Sequence, residues 1–168
     1  MVYTVTFNPA VDYIVHTKQL IAGATNRSDS EEIYFGGKGI NVSIVLSELG
    51  VKSKALGFVA GFTGEAIENG VAEKGIDADF VHLNEGFSRI NVKIKSGEET
   101  ELNGQGPKIT DEAIRELYAK LDEIQDGDTL VLAGSIPSSL PADIYERILE
   151  RLSGKKIRAV VDATKALL

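Results

Sequence analysis

The sequence predicts an α/β fold, a doubly wound sheet with helices on both faces, together with a small second β-sheet. Two observations carry this prediction. Short β-branched segments alternate with segments whose apolar residues recur every three or four positions, the pattern of α/β domains. Twice, however, two strand-like segments follow each other without a helix between them, which indicates antiparallel hairpins outside the main sheet.

The first elements follow the alternating pattern. A strand is expected over residues 2–7, before Asn8-Pro9, and a helix over residues 39–49, before the stop signal Gly50. The apolar residues expected to face inward on this helix are Val42, Val45, Leu46 and Leu49. Three further elements continue the alternation: a strand over 54–59, a helix over about 64–74 and a strand over 79–83.

Two segments, residues 11–35 and 88–105, are expected to form a small β-sheet lid. The first pairs two extended runs across a polar loop, and the second pairs two across the turn signal Ser96-Gly97. These expected strands cover residues 13–17, 31–35, 88–95 and 100–103. We therefore expect a lid that projects from the α/β body.

The alternation then resumes with a helix that begins at Thr110, a natural N-cap followed by Asp111 and Glu112 in the first turn. Its expected buried stripe is Ile114, Leu117, Leu121 and Ile124. A strand over 129–133, a helix over about 141–152 and a strand over 157–161 complete the pattern. Because a doubly wound sheet rarely ends just after such a strand, we expect residues 1–168 to be the N-terminal part of a single, longer domain.

Composition excludes several classes of function. The net charge of −7 argues against a nucleic-acid-binding face, and the lack of cysteine excludes disulfides and thiolate chemistry. Neither His16 nor His82 has a second ligand at metal-site spacing. No segment is apolar enough to span a membrane, and the N-terminus lacks the pattern of a secretion signal. We therefore expect a cytoplasmic protein that binds neither nucleic acid nor membrane.

The glycine-rich segment over residues 35–41 is the most informative for function. It reads Phe35-Gly36-Gly37-Lys38-Gly39-Ile40-Asn41 and leads into a predicted helix. Backbone amides at such a helix start can approach anions or hydroxyl oxygens closely, and Lys38 adds a positive charge. Taken alone, the same residues also fit a tight strand-to-helix turn without a ligand.

Three charged residues are further candidates for binding. Asp12 follows the first strand, where a carboxylate could accept hydrogen bonds from sugar hydroxyls, although it also fits a turn or a helix cap. Arg89 begins a strand with its guanidinium away from the apolar face, which suits a phosphate as well as a solvated strand edge. Arg27 lies in the polar lid loop, where a plain surface charge is the favoured interpretation of the residue taken alone.

Five segments in order resemble the PfkB branch of the ribokinase-like sugar kinases, and within that family the bacterial 1-phosphofructokinases most of all. They are Asn8-Pro9-Ala10-Val11-Asp12, the glycine run with Lys38 and Asn41, Arg89-Ile90-Asn91, Asn103-Gly104-Gln105-Gly106-Pro107 and Ala133-Gly134-Ser135-Ile136-Pro137. The resemblance covers the whole chain but about half of a typical member. It implies a ribokinase-like fold and a kinase that uses ATP with Mg²⁺.

The resemblance also implies roles for individual residues. Asp12 and Asn41 would hold sugar hydroxyls, Arg89 would bind the phosphate already on the sugar, and Arg27 would reach the neighbouring subunit of a homodimer joined through the lid. The remaining implied substrate contacts are Gly37, Lys38 and Ser135. The family's Asn-x-x-Glu and Gly-Ala-Gly-Asp motifs, tied to magnesium and to the catalytic base, do not occur in this sequence. No catalytic residue is therefore assigned, and residues 1–168 alone are expected to be inactive.

The implied reaction transfers a phosphoryl group from ATP to fructose 1-phosphate and gives fructose 1,6-bisphosphate. Two alternatives stay open. A tagatose 6-phosphate kinase would share most of these segments, and a non-catalytic sugar-phosphate-binding or dimerisation module would need no missing catalytic half. In the segment Asp162-Ala163-Thr164-Lys165, Lys165 replaces the glycine of the commoner family pattern, so no nucleotide contact is assigned there.

Overall fold

The computed structural model describes residues 1–162 and contains, within them, two sheets and four helices. The strands are β1 (Val2–Thr6), β2 (Ala10–His16), β3 (Ser30–Gly36), β4 (Ser53–Ala60), β5 (Asp77–Ala78), β6 (Val81–Leu83), β7 (Arg89–Ser96), β8 (Glu98–Asn103), β9 (Thr129–Ala133) and β10 (Arg158–Asp162). The helices are α1 (Lys38–Glu48), α2 (Gly61–Glu73), α3 (Asp111–Asp122) and α4 (Ile144–Arg151). Within the described range, no helix combines the length and apolarity that crossing a membrane requires.

The main sheet is parallel and has the strand order β10-β9-β1-β4-β5, with β6 pairing the last residues of β4. The sequence predicted one strand over 79–83. The structure has two short strands instead, β5 just before this range and β6 at its end. Asp79 still donates its backbone N–H to the Ala55 carbonyl at 2.9 Å, but the next side chain, Phe80, is buried in the core. The ladder is interrupted where Phe80 packs inward.

Helices α3 and α4 cover one face of the main sheet and form the larger core with β1, β4 and β9. Leu117, Leu121 and Ile124 are buried, as the sequence predicted, while Ile114 packs at the edge of this core. The predicted cap is also confirmed, since the Thr110 hydroxyl accepts a hydrogen bond from the Ala113 amide at 3.2 Å. With α1 and α2 on the opposite face, the sheet is doubly wound, as expected.

Helix α1 buries a different face from the one predicted. Val45 is 53% exposed and Leu49 is 72% exposed, so the prediction that they face inward is wrong. Val42 and Leu46 are only partly buried. The buried positions are instead Gly39, Ile40 and Ser43.

Close packing of small groups explains which face of α1 is buried. The Ser43 and Thr4 hydroxyls lie 2.7 Å apart in a buried hydrogen bond. A Cβ on Gly39 would lie only 2.6 Å from the Val5 carbonyl oxygen. Because the helix backbone approaches β1 this closely at Gly39 and Ser43, this face of the helix packs on the sheet, and Val45 and Leu49 project away from it.

The predicted lid is confirmed as a separate four-stranded sheet with the order β3-β2-β7-β8, called the lid sheet below. Its β2–β3 and β7–β8 pairs are antiparallel, and the parallel pair β2–β7 joins the two chain segments. The base of the lid sheet packs against α2 and β4 through Val11, Phe35 and Ile90.

Alternation gives the lid sheet two chemically different faces. On one face, four apolar side chains form a row across the strands: Ile33, Tyr13, Val92 and Leu102. On the other face, the neighbouring row is polar: Tyr34, Asp12, Asn91 and Asn103. Ile33 and Leu102 are exposed, so much of the apolar row faces solvent in this single chain.

Candidate functional site

The candidate site lies at the carboxyl ends of the parallel strands, where α/β folds place ligands. A cavity of about 220 Å³, called the inner pocket, opens there between the end of β1, the start of α1, the end of β9 and the base of the lid sheet. Its lining residues are Thr6, Phe7, Asn8, Gly37, Lys38, Arg89, Ala133, Gly134 and Ser135.

The glycine-rich segment forms the turn from β3 into α1, and it also faces the inner pocket. Gly37, the N-cap of α1, has a φ of 133°, which residues with a side chain rarely adopt. A Cβ there would overlap the Thr6 side chain. This segment is therefore a strand-to-helix turn that also lines the cavity.

Asp12 and Asn41 converge on the space above Gly36. A Cβ added to Gly36 would lie 3.6 Å from Asp12 Oδ2 and 3.3 Å from Asn41 Oδ1. Asp12 belongs to strand β2 and is neither a turn residue nor a helix cap. The structure thus brings one carboxylate oxygen and one amide oxygen together beside the inner pocket.

Asn91 holds the other oxygen of Asp12, a contact that the sequence analysis missed. Its Nδ2 donates a hydrogen bond to Asp12 Oδ1 at 2.8 Å across the β2–β7 pair. The only signal in the sequence was its place two residues after Arg89, which became informative once the register of the two strands was known.

Arg89 supplies a half-buried positive charge at the base of the lid sheet. Its Nε donates to the Asn8 carbonyl at 3.0 Å, which fixes the guanidinium. Burial lowers the pKa of Arg89, while the negative charge of Asp12 acts in the opposite direction. Among residues 1–162, no carboxylate lies within ion-pair distance of this guanidinium, which leaves its terminal N–H groups available for an anion.

A second cavity of about 540 Å³, called the outer pocket, shares Asn8, Arg89 and Ser135 with the inner pocket. It is lined by Asn8, Arg89, Asn103, Gly104, Gln105, Gly106, Pro107, Lys108, Ser135, Ile136, Pro137, Ser138 and Ser139. This lining contains two cations and no carboxylate, in a chain whose net charge is −7. Lys108 was missed in the sequence because nothing in its local pattern separates it from a surface lysine.

Ser135 lines both pockets, and a buried tyrosine holds its turn in place. The Tyr145 hydroxyl donates to the Gly134 carbonyl at 3.0 Å. Burial raises the pKa of Tyr145 to about 12, with a smaller contribution from the charge of Asp162. Tyr145 therefore stays neutral at physiological pH and keeps its proton for this hydrogen bond.

Lys38 and Arg27 differ in their relation to the site. Lys38 lines the inner pocket and forms an exposed ion pair of 3.1 Å with Asp162 at the end of β10. Arg27 lies on the exposed loop between β2 and β3 and lines neither pocket. Of the seven predicted substrate contacts, four therefore line the inner pocket, two (Asp12 and Asn41) meet above the adjacent Gly36, and Arg27 lies apart.

The described residues contain no cluster of metal-binding side chains. Within residues 1–162, no three carboxylate or histidine side chains converge to hold a metal ion. The carboxylate of Asp162, at the end of β10, is already paired with Lys38. The segment that carries Lys165 lies outside the described residues.

Comparison with known proteins identifies relatives of this chain. Residues 5–166 match the family model described as pfkB family carbohydrate kinase. The chain is 52% identical over 162 residues to the 1-phosphofructokinase of Bacillus subtilis, covering 96% of this chain and 53% of that protein. It is 39% identical over 168 residues to the D-tagatose-1-phosphate kinase of Bacillus licheniformis, covering 100% of this chain and 55% of that protein.

Solved structures show the same fold. Phosphofructokinase-2 from Escherichia coli, in complex with substrates and products, superposes with a TM-score of 0.91 at 25% identity, covering 99% of this chain and 55% of that one. Ribokinase from Giardia lamblia superposes with a TM-score of 0.76 at 17% identity, covering 98% of this chain and 55% of that one. The fold is therefore ribokinase-like, with a parallel main sheet and a second, small sheet.

The chain spans about half the length of the relatives it matches. Within that half, the match to the family model runs through nearly every residue, from the end of β1 to beyond β10. The segments that form the two pockets all lie inside the matched range. This chain belongs to the pfkB family of carbohydrate kinases.

Proposed function

We propose that this chain is the substrate-binding part of an ATP-dependent kinase that phosphorylates fructose 1-phosphate to fructose 1,6-bisphosphate. The observation that carries the proposal is Arg89, a half-buried cation without a carboxylate partner among the described residues, which lines both cavities. A phosphate monoester is the kind of ligand that such a guanidinium binds.

The two pockets suggest how the sugar phosphate lies. Its phosphate occupies the outer pocket, between Arg89 and Lys108, where no carboxylate repels it. Its hydroxyls reach Asp12 and Asn41 beside the inner pocket, and the alcohol that accepts the new phosphoryl group points toward the strand ends near Lys38. The roles of Gly37 and Ser135 follow from their places in the lining of the inner pocket.

The described residues bind and orient the acceptor rather than perform the transfer. In such kinases a general base removes the proton of the attacking hydroxyl, and bound Mg²⁺ would neutralise charge on the transferred group. Among residues 1–162 no three metal-binding side chains converge, and the family motif tied to the catalytic base does not occur in the sequence. We therefore propose that residues 1–168 alone have no kinase activity, and a coupled ADP-release assay on this chain tests that statement.

The lid sheet is proposed to cover the sugar and to join two subunits. Its polar face carries Asp12 and Asn91, which places that face toward the substrate, where closure would exclude water. Its apolar row, with Ile33 and Leu102 exposed, is then free to pack against the lid of a second chain. In such a homodimer Arg27 could reach the neighbouring site, and its exposure in the single chain agrees with that role.

The choice among related substrates depends on details of the sugar. Two relatives are named D-tagatose-1-phosphate kinase, and the sugar in that name has its phosphate on C1, as fructose 1-phosphate does. Tagatose 1-phosphate is thus the alternative to compare first, ahead of tagatose 6-phosphate, which carries its phosphate at the other end. Measuring kcat/KM for all three sugar phosphates decides among them. A non-catalytic binding module would bind sugar phosphate and turn over none of them.

The decisive variant is Arg89→Ala, made in the protein extended to the full length of its relatives. If Arg89 binds the substrate phosphate, KM for fructose 1-phosphate should rise about 30-fold or more, because a charged hydrogen-bonded partner is lost. KM for ATP should change less than about 3-fold. The exposed arginine of α3, replaced in Arg115→Ala, is the matched control and should leave both constants unchanged. A rise in KM for ATP alone would show that Arg89 does not bind the sugar phosphate.

A further inference from the structure

Asn91 is one of two residues, with Ser53, whose side chain has a buried polar atom without a hydrogen-bond partner among the described residues. It lies in the middle of the lid sheet on β7 and is only 7% exposed. Its Nδ2 donates to Asp12 Oδ1 at 2.8 Å, but its Oδ1 is buried and has no hydrogen-bond partner among the described residues. An unpaired buried amide oxygen destabilises a protein, so its presence calls for a function.

The unpaired oxygen shows that Asp12 dictates how the Asn91 amide is oriented. Turning the amide over would bring its oxygen against the Asp12 carboxylate, so that two acceptors would face each other. The observed orientation therefore satisfies Asp12 and leaves Asn91 Oδ1 unsatisfied. The contact gives the Asp12 carboxylate a hydrogen-bond donor and leaves the amide oxygen of Asn91 without one.

The contact also determines which oxygen of Asp12 is available. With Oδ1 engaged by Asn91, Oδ2 is the carboxylate oxygen that faces Gly36 and Asn41. The strands pair Asp12 directly with Asn91, so both residues are held by backbone hydrogen bonds of the same ladder. Only the rotation of the carboxylate is left for the side-chain contact to fix.

We propose that Asn91 is a positioning residue that holds the Asp12 carboxylate so that Oδ2 accepts a hydrogen bond from a hydroxyl of the sugar phosphate. This inference rests on the proposed function of the site. Neither side chain lines either pocket, but Asp12 Oδ2 faces the space above Gly36, next to the inner-pocket residue Gly37, so Asn91 acts on the substrate through Asp12. A carboxylate that is already oriented loses less freedom when the sugar binds, and the gain appears in the affinity for the sugar.

Several titratable and charged groups surround this pair and bear on any pH experiment. Tyr34 stands opposite Asp12 on β3, and Lys93 follows Asn91 on the same face of β7. Arg89 interacts with the charge of Asp12, and Lys38 begins helix α1. Each of these groups is present in both wild type and variants, so a change that appears only in a variant belongs to the altered pair.

The first test is Asn91→Leu, which keeps the size of the side chain and removes its donor. In the full-length protein, KM for fructose 1-phosphate should rise about 10- to 100-fold, as when other orienting hydrogen bonds to ligand-binding groups are removed. KM for ATP should stay within about 2-fold, since the lost interaction is on the sugar side. Asn84→Leu, at an exposed asparagine away from Asp12, is the matched control.

A double-mutant cycle shows whether Asn91 acts through Asp12. In an Asp12→Ala background, Asn91→Leu should produce no further change in the affinity for fructose 1-phosphate, measured by calorimetry without ATP. If the two effects instead multiply, Asn91 acts independently of Asp12 and the proposal fails.

Asn91→Asp keeps the shape of the side chain. It should make KM for fructose 1-phosphate depend on pH in a way that a purely structural role of Asn91 would not produce. The second carboxylate beside Asp12 raises the apparent pKa of the pair, because one proton is then shared between them. At low pH the protonated new carboxyl can donate to Asp12 as the amide did. The ratio of variant to wild-type KM should therefore fall toward one as the pH decreases, and this ratio cancels the titration of the substrate phosphate.

The outcomes separate this inference from the proposed function. If the wild-type protein neither binds nor phosphorylates a ketohexose 1-phosphate, the proposed function fails. If the wild type does so and Asn91→Leu has an unchanged KM, or if the ratio for Asn91→Asp does not depend on pH, only the role of Asn91 is overturned. Thermal unfolding of each variant confirms that it is folded in the assay, and Asn91→Asp decides the matter should Asn91→Leu unfold.

Discussion

The two faces of the main sheet are packed in different ways. On the face of α3 and α4, large aliphatic side chains such as Leu132 and Ile148 are fully buried in the larger core. On the face of α1 and α2, small residues allow the backbone of one element to approach another, and the core includes the base of the lid sheet. The first face stabilises the body by burial, whereas the second places the glycine loop and the lid against that body.

This difference indicates where substitutions affect the stability of the protein and where they affect the positions of the glycine loop and the lid sheet. Removing methylene groups from the larger core leaves a cavity, which costs free energy without moving the site. Adding even one methyl group on the second face displaces a neighbour that carries the lid or the glycine loop.

The largest loss of stability is expected for Ile148→Ala in α4. The side chain is fully buried in the larger core, so its truncation should lower the free energy of unfolding by about 2–5 kcal/mol. Urea denaturation, followed by circular dichroism, measures the change. A loss below about 0.5 kcal/mol, as is usual for surface positions, would show that this face is not the tightly packed one.

An intermediate effect is expected for Gly70→Ala in α2. A Cβ at this position would overlap the Phe35 ring at the base of the lid sheet, and such overpacking costs about 1–3 kcal/mol. Combining it with Phe35→Leu should cost less than the sum of the two single changes, because the smaller side chain leaves room. Strictly additive losses in the same denaturation experiment would contradict the proposed contact between α2 and the lid.

The smallest effect is expected for Leu49→Lys at the end of α1. Because this side chain is 72% exposed, the free energy of unfolding of residues 1–168 should change by less than about 0.5 kcal/mol. Leu117→Lys on α3 provides the contrast, since the buried position should not tolerate a charge. If Leu49→Lys lowers the free energy of unfolding by several times more than expected, another part of the molecule covers this surface.

The helices show what hydrophobic periodicity can and cannot predict. The stripe on α3 was predicted correctly, because its large apolar side chains do meet a sheet. The apolar face of α1 has the same spacing, yet Val45 and Leu49 lie outside, because the hydroxyl pair of Ser43 and Thr4 and the close approach at Gly39 decide the packing. Those contacts depend on which strand lies beneath the helix, information that a local pattern does not contain.

The site was predictable where it depends on residue type, and unpredictable where it depends on strand register. Glycines before a helix and an arginine at a strand end can be recognised as candidate binding residues from their residue types alone. The structure places Gly37 and Arg89 in the lining of the same cavity. Asn91 and Lys108 have ordinary neighbours in the sequence. They became visible only when the β2–β7 register and the lining of the outer pocket were known.

The parallel β2–β7 pair also has a consequence for how the chain folds. The hydrogen bond between Asp12 and Asn91 joins residues 79 positions apart, and α1, β4 and α2 lie between them in the sequence. Parallel pairing over such a distance gains nothing until the intervening elements have shortened the loop that must close. The lid sheet should therefore assemble late in folding, after the body against which its base packs, and the polar face with Asp12 and Asn91 is among the last surfaces that the chain completes.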